Sequence, residues 1–97
     1  MVQRQLREPV SITLAFVSRE TFNVAKRKTL QARNPFQLVI KIWAWTQAMA
    51  EEGFKPEKYM LVAITNSKKL PPLVERVLVD AKIPLLKSPE DLKKFSG

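Results

Sequence analysis

Apolar positions along the chain change period several times, and the changes mark out its elements. From Val10 to Val17 β-branched and aromatic residues dominate, with Pro9 ahead of them, which predicts a strand. Ser18-Arg19-Glu20 reads as a short turn, and Thr21 to Lys28 as the returning strand of a hairpin. Pairing Val17 with Phe22 across that turn sets Thr13 opposite Lys26 and Ala15 opposite Val24. Residues two apart share a face, so Thr13, Val24 and Lys26 are expected on one side of the sheet. Both faces of the hairpin carry apolar residues, as in a sheet covered on each side.

The period then becomes helical. Asn34-Pro35 supplies a cap and a first helical residue, and Gly53 stops a helix that runs to about Glu52. At 100° per residue, Val39, Ala50, Trp43, Phe36 and Ile40 form one apolar stripe and Trp45, Leu38, Met49 and Ile42 a second beside it. Together they span roughly 220°, against the ~100° stripe of a helix lying on one sheet. Something besides the sheet is therefore expected to cover Trp45 and Met49. Leu38, Ile42, Trp45 and Met49 become candidate interface residues, since large aromatics favour interface centres, with the chain's own N-terminal segment or last helix as the alternative cover.

Lys58 to Thr65 is almost continuously apolar, the mark of a buried central strand. The polar, basic loop Asn66-Ser67-Lys68-Lys69 follows it. Leu70, Leu73, Val74, Val77, Leu78 and Ala81 then fall on one helical face behind Pro71-Pro72. Ile83 to Leu86 reads as a short edge strand, where proline is tolerated, and Ser88 to Phe95 as a small capped helix. The predicted fold is α/β: a single domain over residues 1–97, with a four-stranded mixed sheet flanked by helices in the order ββαβαβα.

Composition narrows the chemistry. With no cysteine and no histidine, disulfides, zinc fingers, thiol nucleophiles and imidazole bases are excluded. No apolar run approaches the roughly 20 residues of a membrane span, and residues 1–8 are polar without a signal-peptide core. The expected location is the cytoplasm. The net charge is +8, and residues 1–33 hold seven basic residues against Glu8 and Glu20. Such a patch is a footprint for phosphates, against the competing reading of an inert basic surface.

Several local strings resemble the restriction-endonuclease-like superfamily, the nucleases that carry a D…(D/E)-x-K motif on a hairpin, and its Mrr-like and Holliday-junction-resolvase-like branches in particular. Ile12-Thr13-Leu14 looks like the strand that bears the first acid, and Asn23-Val24-Ala25-Lys26-Arg27 like the strand ending in E-x-K-R. Phe54 to Ser67 resembles the central strand and its exit loop, and Ala81 to Leu86 with Glu90-Asp91-Leu92 the C-terminal strand and helix. The resemblance implies a metal-dependent nuclease, but Thr13 and Val24 stand where the metal-binding carboxylates would be. Mg²⁺ needs oxygen ligands, and without it there is no activated water. Of the presumed triad only Lys26 remains.

These observations predict a non-catalytic nucleic-acid-binding protein on a degenerate nuclease fold, with no cofactor and no metal. Arg19, Lys26, Arg27, Lys28, Arg33, Lys68 and Lys69 are its expected phosphate contacts, with DNA placed ahead of RNA as the partner and neither fixed by the residues. Two other readings stand beside it. One is an accessory subunit that forms a homodimer, or pairs with an active nuclease-like chain through the long helix. The other is a nuclease completed by acids from a partner chain.

Overall fold

The computed structural model describes residues 9–65 and 70–86. Its elements run β1 (Val10–Ser18), β2 (Val24–Ala32), α1 (Pro35–Glu51), β3 (Tyr59–Ile64), α2 (Pro72–Asp80) and β4 (Leu85–Leu86). One mixed sheet has the order β2-β1-β3-β4; β1 is antiparallel to both β2 and β3, and β3 is parallel to β4. The predicted α/β class, the four-stranded mixed sheet and the order of these six elements are all present. The helix expected at Ser88 to Phe95 lies outside the described residues.

The hairpin differs from its prediction in where it turns. Instead of a short turn after Val17, residues 19–23 form a longer loop closed by Ser18. The Ser18 hydroxyl accepts from the backbone N–H groups of Glu20 and Thr21 at 3.2 Å each. Its carbonyl accepts from Phe22 N–H at 2.8 Å, and its own N–H donates to Asn23 O at 2.9 Å. Phe22 takes a left-handed φ of 59°, unusual for a residue with a bulky side chain. A register irregularity between Phe16 and Val17 completes the change.

The consequence is a different register. Thr13 faces Thr29, Ala15 faces Arg27, Phe16 faces Lys26 and Val17 faces Val24. Thr13 was expected opposite Lys26; the strand has slipped by three residues, an odd number, and an odd slip carries side chains to the other face. Thr13 and Lys26 are therefore on opposite sides of the sheet.

The long helix begins as its cap predicts: Asn34 Oδ1 accepts from Phe36 N–H at 2.8 Å, with Pro35 at the first helical position. It ends through Gly53, whose φ of 110° is one that L side chains rarely adopt. Leu38, Ile42, Trp45 and Met49 are buried within the chain, packed with Val10, Ile12, Leu14 and Phe16 of β1. This corrects the expected interface: the sheet itself covers these four side chains, and the Trp45 ring lies 5.3 Å from that of Phe16. The stripe turned outward is the other one, with Phe36 62%, Ile40 65% and Trp43 48% exposed.

Val74, Leu78 and Leu70 bring α2 onto the same cluster. The helix closes with Lys82 N–H donating to Val79 O and Ile83 N–H to Leu78 O, at 3.0 and 2.8 Å. That pair of bonds is a Schellman motif, and it places Lys82 at the left-handed position with φ 59°. Pro84 O then accepts from Ala63 N–H, which starts the parallel pairing of β4 with β3. On the opposite face of the sheet Ala15, Val17, Val62, Ile64 and Leu86 form a second buried cluster. Among the described residues no helix is long and apolar enough to cross a membrane.

Candidate nucleic-acid interface

Among the described residues the strand order makes β2 an edge, and its sequence suits one. All six residues from Val24 to Thr29 are exposed, and only Leu30 and Ala32 reach the core. Lysines on an edge keep its unpaired N–H and C=O groups from recruiting another strand, which is the structural reason for Lys26-Arg27-Lys28. Their placement also makes a surface. Lys26 and Lys28 stand opposite Phe16 and Leu14, on the face that carries the helices, while Arg27 stands opposite Ala15 on the other. The strand thus presents cations to both sides.

On the helix side the edge and α1 enclose an open groove of about 550 Å³. Lys28 lines one wall and Lys41 the other, with Ala44, Ala48, Trp45 and Leu30 between them. Lys41 Nζ donates to Gln31 O at 2.8 Å, which fixes the ammonium against β2. An ammonium has three N–H donors, so two remain for a ligand. No acid is among the described residues that line the groove. Lys41 is not among the phosphate contacts expected from the sequence. On the helix it lies beside Trp45, away from Phe36 and Ile40, and only the packing of α1 on β2 brings it to the groove.

The other expected contacts divide. Arg33 is exposed between β2 and α1 and is not among the residues that line the groove. Arg19 belongs elsewhere: its backbone N–H bonds Lys58 O at 3.0 Å and its Nε donates to Pro56 O at 2.8 Å, on the side of β1 away from β2. Lys68 and Lys69 lie outside the described residues. Charges near this edge stay exposed, so they act through water and mobile ions and their effects are salt-dependent.

The inferred degenerate metal site does not assemble. Thr13 and Val24 are separated along β1 by the distance from Thr13 to Val17, roughly 13 Å at the usual strand rise. Lys26 is on the opposite face. The Thr13 hydroxyl is instead shared with Thr29 Oγ1 at 2.9 Å, an ordinary cross-strand pair. Among the described residues no three His, Cys, Asp or Glu side chains gather closely enough to hold a metal ion. No protein-family model, curated protein or solved structure matches the chain.

Proposed function

We propose that this chain is a cytoplasmic, non-catalytic nucleic-acid-binding protein that holds the phosphate backbone in the groove between β2 and α1. The observation that carries the reading is the facing pair Lys28 and Lys41 in a groove without described acids, with Lys26 on the same face of the strand. Arg27 and Arg33 extend the positive surface, and the net charge of +8 supplies long-range attraction. Contacts of this kind fix position on a backbone and read no bases, so binding is expected to be weak and largely independent of sequence. The likeness to the restriction-endonuclease-like core supports this reading through element order and local strings alone. Thr13 and Val24 have no part in it. Completion of a nuclease by a partner's acids is disfavoured, because Lys26 does not share a face with Thr13.

The test is a fluorescence-anisotropy titration of labelled duplex and single strands at several salt concentrations. Binding should be micromolar or weaker and fall steeply with salt. Replacing Lys26, Lys28 and Lys41 together by alanine should lower the slope of log affinity against log salt by about two to three, near 0.7–0.9 per lost contact. Replacing Lys55 and Lys58, which flank Glu57, should do much less. No binding at low salt, or equal effects from the two sets, would refute the reading and favour an accessory subunit.

A further inference from the structure

A second concavity, unconnected with the basic edge, lies between α1, α2 and the segment leading into β3. It encloses about 560 Å³, within the ~300–1,000 Å³ of small-molecule sites. Trp43 and Ala50 of α1 form one wall and Val77 and Ala81 of α2 the other. Its floor is aromatic: Phe54 packs against Phe16 at 5.2 Å and against Tyr59 at 4.9 Å. Trp43 is half exposed at this site although Trp45, two residues on, is buried. An apolar cleft of this size, with few polar groups, is the usual form of a ligand site.

The polar groups that line it are few, and those that carry charge are of one sign. Thr46 commits its hydroxyl to Trp43 O at 3.0 Å. Arg19, Lys82 and the Tyr59 hydroxyl remain, the first two being the charged groups, and no acid is among the described lining residues. Arg19 is held by its Nε bond to Pro56 O. A guanidinium has five N–H donors in a fixed fork, so four remain once Nε is committed. Lys82 is the left-handed residue of the Schellman motif that ends α2. Glycine is the usual residue there, and a side chain at that φ costs roughly 1 kcal/mol. A cation therefore occupies this cleft's lining at a conformational cost, and strain of that kind points to function.

We propose that the cleft binds one small amphipathic organic anion. Its flat or branched apolar body would lie on Phe54 and Tyr59 and beside Trp43, and its carboxylate or sulfonate would be held by Arg19 and Lys82. The site uses neither the β2 edge nor Lys41, so it is independent of the nucleic-acid reading.

The experiment pairs two dyes on the intact chain. 1-Anilinonaphthalene-8-sulfonate carries the anion, and N-phenyl-1-naphthylamine is its uncharged counterpart. The wild type should bind the sulfonate saturably at a single site, with quenching of Trp43 emission. Arg19→Gln and Lys82→Gln should each weaken the sulfonate about tenfold, as loss of a charge-assisted hydrogen bond does, and change the neutral dye less than twofold. Ala50→Phe, which fills the cleft, should weaken both dyes about tenfold or more with far-UV circular dichroism unchanged. Ala81→Leu makes the same test from the other wall if Ala50→Phe does not fold. Unsaturable binding, equal losses for both dyes in Arg19→Gln, or full binding by a filled variant would overturn the proposal. So would sedimentation as a dimer in which Trp43 is shielded from a soluble quencher.

Discussion

Replacing Trp45 by alanine separates a core residue from an interface residue more sharply than any other change to this chain. Trp45 is 8% exposed, and its ring sits 5.3 Å from Phe16 at 44°. A buried aromatic removes some 150–250 Å² from water. Truncation returns most of that, which at ~25 cal/mol/Å² is about 4–5 kcal/mol. Residual compactness of the unfolded chain trims it by some 10–40%, to about 3 kcal/mol. Loss of the tilted pair with Phe16 adds about 1 kcal/mol. The expected destabilisation is thus about 3–5 kcal/mol, the range seen when buried tryptophans are truncated. Trp43, 48% exposed, provides the control; its truncation should cost about 1–2 kcal/mol by the same reckoning. Urea titrations followed by far-UV circular dichroism measure both, since neither relies on the deleted fluorophore. With m near ~1.5–2 kcal/mol/M, Trp45→Ala should lower the midpoint by about 2 M. Equal costs for the two variants would refute the packing argument. A stable, monomeric Trp45→Ala variant of a dimeric wild type would restore Trp45 to an interface.

Two further outcomes follow from the helix ends. Lys82→Gly should stabilise the chain by roughly 0.5–1 kcal/mol, because glycine accepts the left-handed φ of 59° without steric cost; a lower thermal midpoint would contradict the Schellman assignment. Asn34→Ala should destabilise by about 1–2 kcal/mol through loss of the 2.8 Å bond to Phe36 N–H, and Asn34→Asp, which keeps an acceptor at the cap, should recover most of it in the same melting experiment.

What was legible in the sequence depended on whether a feature was local. Asn34-Pro35 and Gly53 bracket α1 because caps and stops are decided within a few residues of the backbone they serve. The apolar run Tyr59 to Ile64 read correctly as a central strand for the same reason. The hairpin register did not, because its loop is held by the Ser18 side chain and by a phenylalanine at positive φ, where no glycine or asparagine advertises the turn. The two stripes of α1 have equal spacing, so periodicity alone could not choose between them. One signal was available: Leu38-Ile42-Trp45-Met49 continues without a polar residue, whereas Phe36-Ile40-Trp43 meets Gln47 at the next step. The groove partner Lys41 was hidden because its role depends on how α1 rolls against β2, which is a tertiary fact.

The central place of β1 orders the events by which the sheet forms. Its pairing with β2 closes only the loop of residues 19–23, whereas its pairing with β3 must close the whole segment from Ser18 to Tyr59. That segment is roughly eight times longer, about three doublings, so the second closure costs ~2 kcal/mol more in chain entropy. Hairpins close in microseconds, well before distant strands meet. The entropy order therefore places the pairing of β1 with β2 ahead of its pairing with β3. Substitutions in the 19–23 loop should accordingly slow folding, and substitutions in β4, which pairs with β3 through Leu85 and Leu86 alone, should mainly speed unfolding.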